Sequence, residues 1–181
     1  DFLLYWIHRW FHGKRLWRFH AVHHSSEQLD WLSGVRAHPI NDVVANALLV
    51  FPFILLGFDP VAAASAGPAL GIFALLGHAD VEWDWGPFRH VIASPVYHRW
   101  HHSKDPAAID KNFASFLPLW DILFGSAHIT RKFPAKVGLI DDQLFGQERW
   151  YHQMFYPLLQ SRREHTALKF GGRAYTEENA S

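Results

Sequence analysis

Histidine is the residue type in this sequence with chemistry to offer. The chain carries 14 histidines in 181 residues, and most are clustered. His8 and His12 form an H-x-x-x-H. His20, His23 and His24 form an H-x-x-H-H, repeated by His98, His101 and His102, while His78 stands alone. On an α-helix, residues four apart are offset by about 40° around the axis and about 6 Å along it. His8 and His12 therefore share a face, as do His20 with His24 and His98 with His102; His23 and His101 lie on adjacent edges. Each cluster can aim two or three imidazoles at one point, and imidazole is a good ligand for iron, zinc, copper and nickel. Nine candidate ligands are more than one ion can use. Two ions with about four or five each would take them all and leave open positions for a small molecule.

The composition narrows the chemistry further. Cysteine is absent, which excludes disulfides, thiolate zinc sites, cysteine nucleophiles and thiolate-held iron–sulfur clusters. Lys and Arg total 17 against 17 Asp and Glu, so no basic excess points to nucleic acid. A bis-histidine haem would use two of these residues, not three clusters. Zinc has no redox chemistry, and a zinc hydrolase commonly needs three ligands and a general base. Histidine-rich, carboxylate-poor ligation beside apolar segments suggests non-haem iron acting on dioxygen and a lipid chain.

The elements that must position these residues are helical. The aromatic spacing over 1–24 predicts helix, and a second histidine-bearing helix is predicted over 96–103. Between Arg36 and Arg89 there is no Lys or Arg. That window holds two apolar runs, 43–58 and 61–77, separated by a turn at Asp59-Pro60; Asp59 is the only charge across them. Each run is at or just below the roughly 17–25 residues of a spanning helix. Basic flanks on both sides predict a membrane hairpin with both ends on the cytoplasmic face, with a buried helical hairpin in a soluble core as the alternative. Gly67-Pro68 would loosen its second arm. Residues 103–150 read as mostly loop, 147–163 as an amphipathic helix, and 166–181 as a polar tail. The chain opens at Asp1 and its only methionine is Met154, so it reads as truncated at the N-terminus. Residues 2–7 are apolar, but His8 and Arg9 break the pattern of a secretory signal. A catalytic domain over 1–165 followed by the tail is the expected organisation.

These residues lie in longer motifs: YWIHRWFH from Tyr5, LWRFHAVHHSS from Leu16, RAHP from Arg36, GHADVEWDWGPFRH from Gly77, SPVYHRWHHS from Ser94 and IDKNFASFLPLWDILFGS from Ile109. In order and spacing the sequence resembles the fatty acid hydroxylase/sterol desaturase superfamily of membrane di-iron oxygenases. The stretch 109–113 resembles its alkylglycerol monooxygenase branch and bacterial relatives. The resemblance implies an all-α fold, with membrane helices under a histidine-rich cytosolic cap that holds two iron ions. It implies His8, His12, His20, His23, His24, His78, His98, His101 and His102 as ligands. It also implies dioxygen as co-substrate, an external electron donor and a membrane lipid as substrate. Hydroxylation or desaturation of a fatty acyl, sterol or ether lipid, or ether cleavage, would follow. The location would be an inner or endoplasmic reticulum-type membrane, with the active site on the cytoplasmic face. A membrane metal-binding protein without oxygenase activity is the alternative.

The sequence also departs from that pattern. Many members of the superfamily have a second histidine four residues after the one corresponding to His78; here that position is Glu82. Either Glu82 supplies an oxygen ligand or nine imidazoles make the site, with His38 and His90 as further candidates. Asp121, Asp80 and Asp84 are candidates to hold the far ring N–H of a ligand histidine. Asn112 is expected to cap or bridge backbone. Ala114 and Ser126 replace the commoner Gly and Thr. His128, His152 and His165 lie outside the motifs and read as ordinary surface or core histidines.

Overall fold

A computed structural model describes residues 1–65, 67–140 and 150–159. Among these residues the chain is helical, and its nearest approach to sheet is an isolated bridge between Ser103 and Val137. The helices are α1 (Phe2–Phe11), α2 (Trp17–His24), α3 (Pro39–Leu55), α4 (Pro60–Ala64), α5 (Gly67–His78), α6 (Pro95–His101), α7 (Leu119–Leu123) and α8 (Trp150–Leu159). Several starts are written locally in the sequence. Ser94 caps α6 by accepting from the Tyr97 N–H, with Pro95 in the first turn. Asp59 caps α4 ahead of Pro60, and His38 caps α3 ahead of Pro39.

The expected single helix over 1–24 is broken. The Gly13 N–H bonds back to the Trp10 carbonyl at 2.9 Å, and a Cβ at Gly13 would sit 2.9 Å from that same oxygen. The break has a function. Residues 8 and 20 would lie about 18 Å apart along an unbroken helix, yet the rings of His8 and His20 are 5.0 Å apart.

The apolar window behaves differently in its two arms. Pro60–His78 is a 19-residue stretch with mean hydropathy 1.6, long and apolar enough to cross a membrane, and α3 is a shorter apolar helix. One arm of the expected hairpin thus meets the length of a span. None of α3 is buried, and α5 buries only its terminal His78. α5 packs on α6 and on the Trp31–Val35 turn, and α1 packs on α3. The apolar packing lies around the histidines: Trp17, Ala21, Val22 and Leu139 on one side, and Tyr5, Phe113 and Ala114 with Trp120 on the other. Of the helix expected over 147–163, residues 150–159 are described, as α8. The 166–181 tail and His165 lie outside the described residues, as does the side chain of His152.

Candidate metal centre

The clustered histidines converge into two groups. His8, His12, His20, His24 and His101 form the first, and His23, His78, His98 and His102 the second; within each group the ligand atoms lie within 4.8 Å of one another. The two H-x-x-H-H motifs divide in opposite ways. From α2, the i,i+4 pair His20 and His24 joins the first group and His23 the second. From α6 and its C-cap, the pair His98 and His102 joins the second group and His101 the first. A single step of about 100° per residue separates 23 from 24 and 101 from 102, so each motif serves two neighbouring points rather than one. The groups touch where the rings of His24 and His102 stack at 4.2 Å.

The hydrogen bonds of the rings decide what these points can hold. The Nδ1–H of His23 donates to the Arg36 carbonyl at 3.1 Å, and that of His78 to the Ala74 carbonyl at 2.7 Å. A carbonyl only accepts, so both rings carry their proton on Nδ1 and a bare lone pair on Nε2. Those two Nε2 atoms face each other at 3.1 Å. Two lone pairs at that distance repel unless a cation lies between them. The first group repeats the arrangement: His8 donates to the Phe113 carbonyl and His20 to the Asn41 Oδ1, while their Nε2 atoms are 3.1 Å apart. His101 donates from Nδ1 to the Lys111 carbonyl, leaving a buried Nε2 without a hydrogen-bond partner, a costly arrangement for an isolated acceptor. Cis nitrogen ligands about 2.1 Å from a metal stand about 3.0 Å from each other, close to the Nε2 separations of 3.0–3.2 Å here. The residues fit a transition metal in each group.

Burial favours the neutral form of seven of these rings. It lowers the His8 pKa and holds those of His20, His23, His24, His98, His101 and His102 well below the ordinary 6.5. Neighbouring rings push the latter six further in the same direction. A ring with its pKa below 6.5 is already deprotonated at pH 7.5, so metal has few protons to displace. Calorimetric titration of the metal-free chain with Co2+, in buffers of different ionisation enthalpy, is expected to show fewer than about one proton released per ion. Release of several would contradict the neutral site.

The other candidates lie elsewhere. Glu82 is exposed and outside both groups; α5 ends at His78, so the two residues do not share a helix face. Arg89 pairs with Asp84 and Arg99 with Asp80. Those two acids therefore engage arginines, not ring N–H groups. His38 uses both ring nitrogens structurally, Nδ1 on the Ile40 N–H and Nε2 toward the Met154 carbonyl. His90 is exposed, and His128 packs against Trp100 with the rings tilted by 52°. Asp121 is fully buried and touches no ring. It accepts from the backbone N–H groups of Phe113 and Ala114 and from the hydroxyls of Ser126 and Tyr97, so it fixes the segment whose Phe113 carbonyl holds His8. Asn112 bridges backbone as expected, donating to the Tyr97 and His128 carbonyls and accepting from the His128 N–H. Sequence reasoning missed Asn41 and Asp110, the latter 3.0 Å from His12 Nδ1. It also missed the carbonyls of residues 36, 74, 111 and 113, which have no side-chain signature.

Comparison with known proteins adds to this geometry. Residues 1–126 match the family described as fatty acid hydroxylase. The chain is 37% identical over 129 residues to ornithine lipid hydroxylase OlsE of Rhizobium tropici, covering 71% of this chain and 39% of that protein. It is 33% identical over 127 residues to alkylglycerol monooxygenase of Danio rerio, covering 70% of this chain and 28% of that protein. It is 34% identical over 137 residues to very-long-chain aldehyde decarbonylase GL1-1 of Oryza sativa subsp. indica, covering 68% of this chain and 21% of that protein. The chain thus spans about two fifths or less of the length of these relatives. No solved structure matches it significantly.

Proposed function

The chain belongs to the fatty acid hydroxylase family, and from that premise we propose that it is the metal-binding part of a di-iron oxygenase that hydroxylates a C–H bond of a membrane lipid. The observation that carries this reading is the pair of facing Nε2 lone pairs on His23 and His78, repeated by His8 and His20. Bound iron would supply the reduction of dioxygen and the oxidation of an unactivated C–H bond. In the net reaction the lipid carbon gains one oxygen atom and the other leaves as water, with two electrons from an external donor and two protons from solvent. The chain's part is to hold six of the nine imidazoles by their Nδ1 atoms and to keep bulk water from the groups. The aromatic rings of Phe113 and Trp17 lie within about 5–6 Å of first-group histidines and serve the second task. Relatives named hydroxylase and monooxygenase favour oxygen insertion over desaturation.

The test is lipid mass spectrometry of cells with and without the full-length gene, grown under labelled dioxygen. One labelled oxygen atom on a lipid chain, present only with the gene, is expected. Metal-loaded protein that consumes no dioxygen with lipid and reductant would leave the metal-binding alternative.

The proposal places α3 and Pro60–His78 in the bilayer as a hairpin, with the histidines at its cytoplasmic end. Support comes from the unburied apolar surface of both arms and from His78, which ends the second arm and belongs to the second group. The chain has no cysteine, so single cysteines report cleanly. At the exposed positions Gln28 and Ala107, impermeant reagent applied to intact cells should label neither until the cells are lysed. Labelling of one of them in intact cells would put the two flanks on opposite faces.

A further inference from the structure

The two groups hold their rings by different chemistry. The acceptors for Nδ1 in the first group are the Phe113 carbonyl for His8, the Asn41 amide for His20, the Lys111 carbonyl for His101 and the Asp110 carboxylate for His12. In the second group they are the Arg36 and Ala74 carbonyls. Among the described residues Asp110 is the one carboxylate within ion-pair distance of any of the nine rings.

Its placement is built into the backbone. Asp110 and Asn112 both adopt left-handed φ, 57° and 58°, a conformation that Asp and Asn tolerate better than other residues with a side chain. Asn112 locks this turn through its bonds to Tyr97 and His128. As a result residues 110–113 present a carboxylate and two carbonyls to three rings of one group. A small cavity of about 30 Å³ is lined by Asp110, His12, His24 and His101, which puts the carboxylate at the edge of the first group only.

We propose that Asp110 is a positioning residue that fixes His12 and raises its donor strength, making the two metal positions chemically unequal. A carboxylate accepting from Nδ1–H forms a charge-assisted bond, draws that proton away from the ring and makes Nε2 more basic toward a metal. A carbonyl does this less. The first group also has one more imidazole than the second, so metal loads there first. The inference rests on the proposed metal-binding role and deepens it.

Titration of the metal-free full chain with Co2+ tests it, read by the visible bands of the ion and by bound metal after desalting. The unmodified chain should take up two ions in sequence. Asp110→Asn keeps the shape and tolerates the left-handed backbone but offers a neutral acceptor. It should weaken the first ion by about 10–100-fold and shift its bands, leaving the second ion unchanged. Asp110→Gly accepts the backbone freely and removes the acceptor, so its loss at the first ion should be at least as large. Asp80→Asn, at an exposed acid paired with Arg99, should leave both ions unchanged. Wild-type affinities and bands in both Asp110 variants, equal weakening of both ions, or simultaneous loading in the unmodified chain would each overturn the proposal. An unmodified chain that takes up no Co2+ overturns the metal-binding reading and this inference with it. Normal uptake by the unmodified chain and by both variants overturns the role of Asp110 alone.

Discussion

His101→Ala and His23→Ala are each expected to reduce turnover to background while lowering bound metal from about two ions per chain to about one. The two substitutions strike different positions. His101 belongs to the first group and His23 to the second, although each sits beside a histidine of the other group in sequence. Removing one imidazole opens a cavity lined by lone pairs that face one another. In the second group, His78 Nε2 would keep its 3.0 Å approach to His98 Nε2 with one fewer ligand to hold the cation between them. Metal analysis of desalted protein, with unfolding followed in parallel, checks the expectation. The His23→Ala, His101→Ala double variant should bind close to no metal. A single variant that retains both ions and full turnover would remove that residue from the ligand set.

The candidate site was legible in the sequence to the extent that its signals were local. Imidazoles three and four residues apart on short helices are visible as spacing, and all nine come together in the fold. Which group each joins was less visible. Reading H-x-x-H-H as one aimed cluster put His23 and His101 on adjacent edges but did not follow that rotation to the neighbouring point. The break at Gly13 was hidden for a different reason. The aromatic spacing of 1–24 is helical on both sides of it, and only the folded approach of His8 to His20 reveals the turn. Glu82 was attractive on the premise that α5 continues past His78, and the helix ends there. The acids that engage the rings or their support were hard to rank because proximity to a histidine in sequence is a poor guide. Asp80 and Asp84 are close to His78 in sequence and pair with arginines. Asp110 is 98 residues from His12 and touches it. The apolar window was read by composition alone, which is sound for exposure but does not fix the length of each arm.

Asp121→Asn should destabilise the fold by on the order of 3 kcal/mol and release metal from the first group before the second, although Asp121 touches no histidine. Its carboxylate is fully buried and has donors on both sides. Oδ1 takes the Phe113 N–H at 2.9 Å and the Ser126 hydroxyl at 2.6 Å. Oδ2 takes the Ala114 N–H at 2.7 Å and the Tyr97 hydroxyl. An asparagine has one oxygen and one NH2. Whichever way the amide turns, its NH2 faces a backbone N–H that cannot reverse its role. The hydroxyls of Ser126 and Tyr97 can rotate to accept, but the amides of Phe113 and Ala114 cannot. One of them must shift or remain buried without a partner. Phe113 carries the carbonyl that holds His8 Nδ1 at 2.8 Å, so a shift there frees the His8 ring to rotate or to move its proton to Nε2, where it would block coordination. The Tyr97 hydroxyl, whose ionisation is suppressed by burial and by the Asp121 carboxylate, would lose its strongest acceptor. Chemical unfolding of the metal-free variant measures the stability term. Stepwise chelation of the metal-loaded variant measures the order of release. Unchanged stability, or loss of the second ion first, would show that the support of His8 does not run through Asp121.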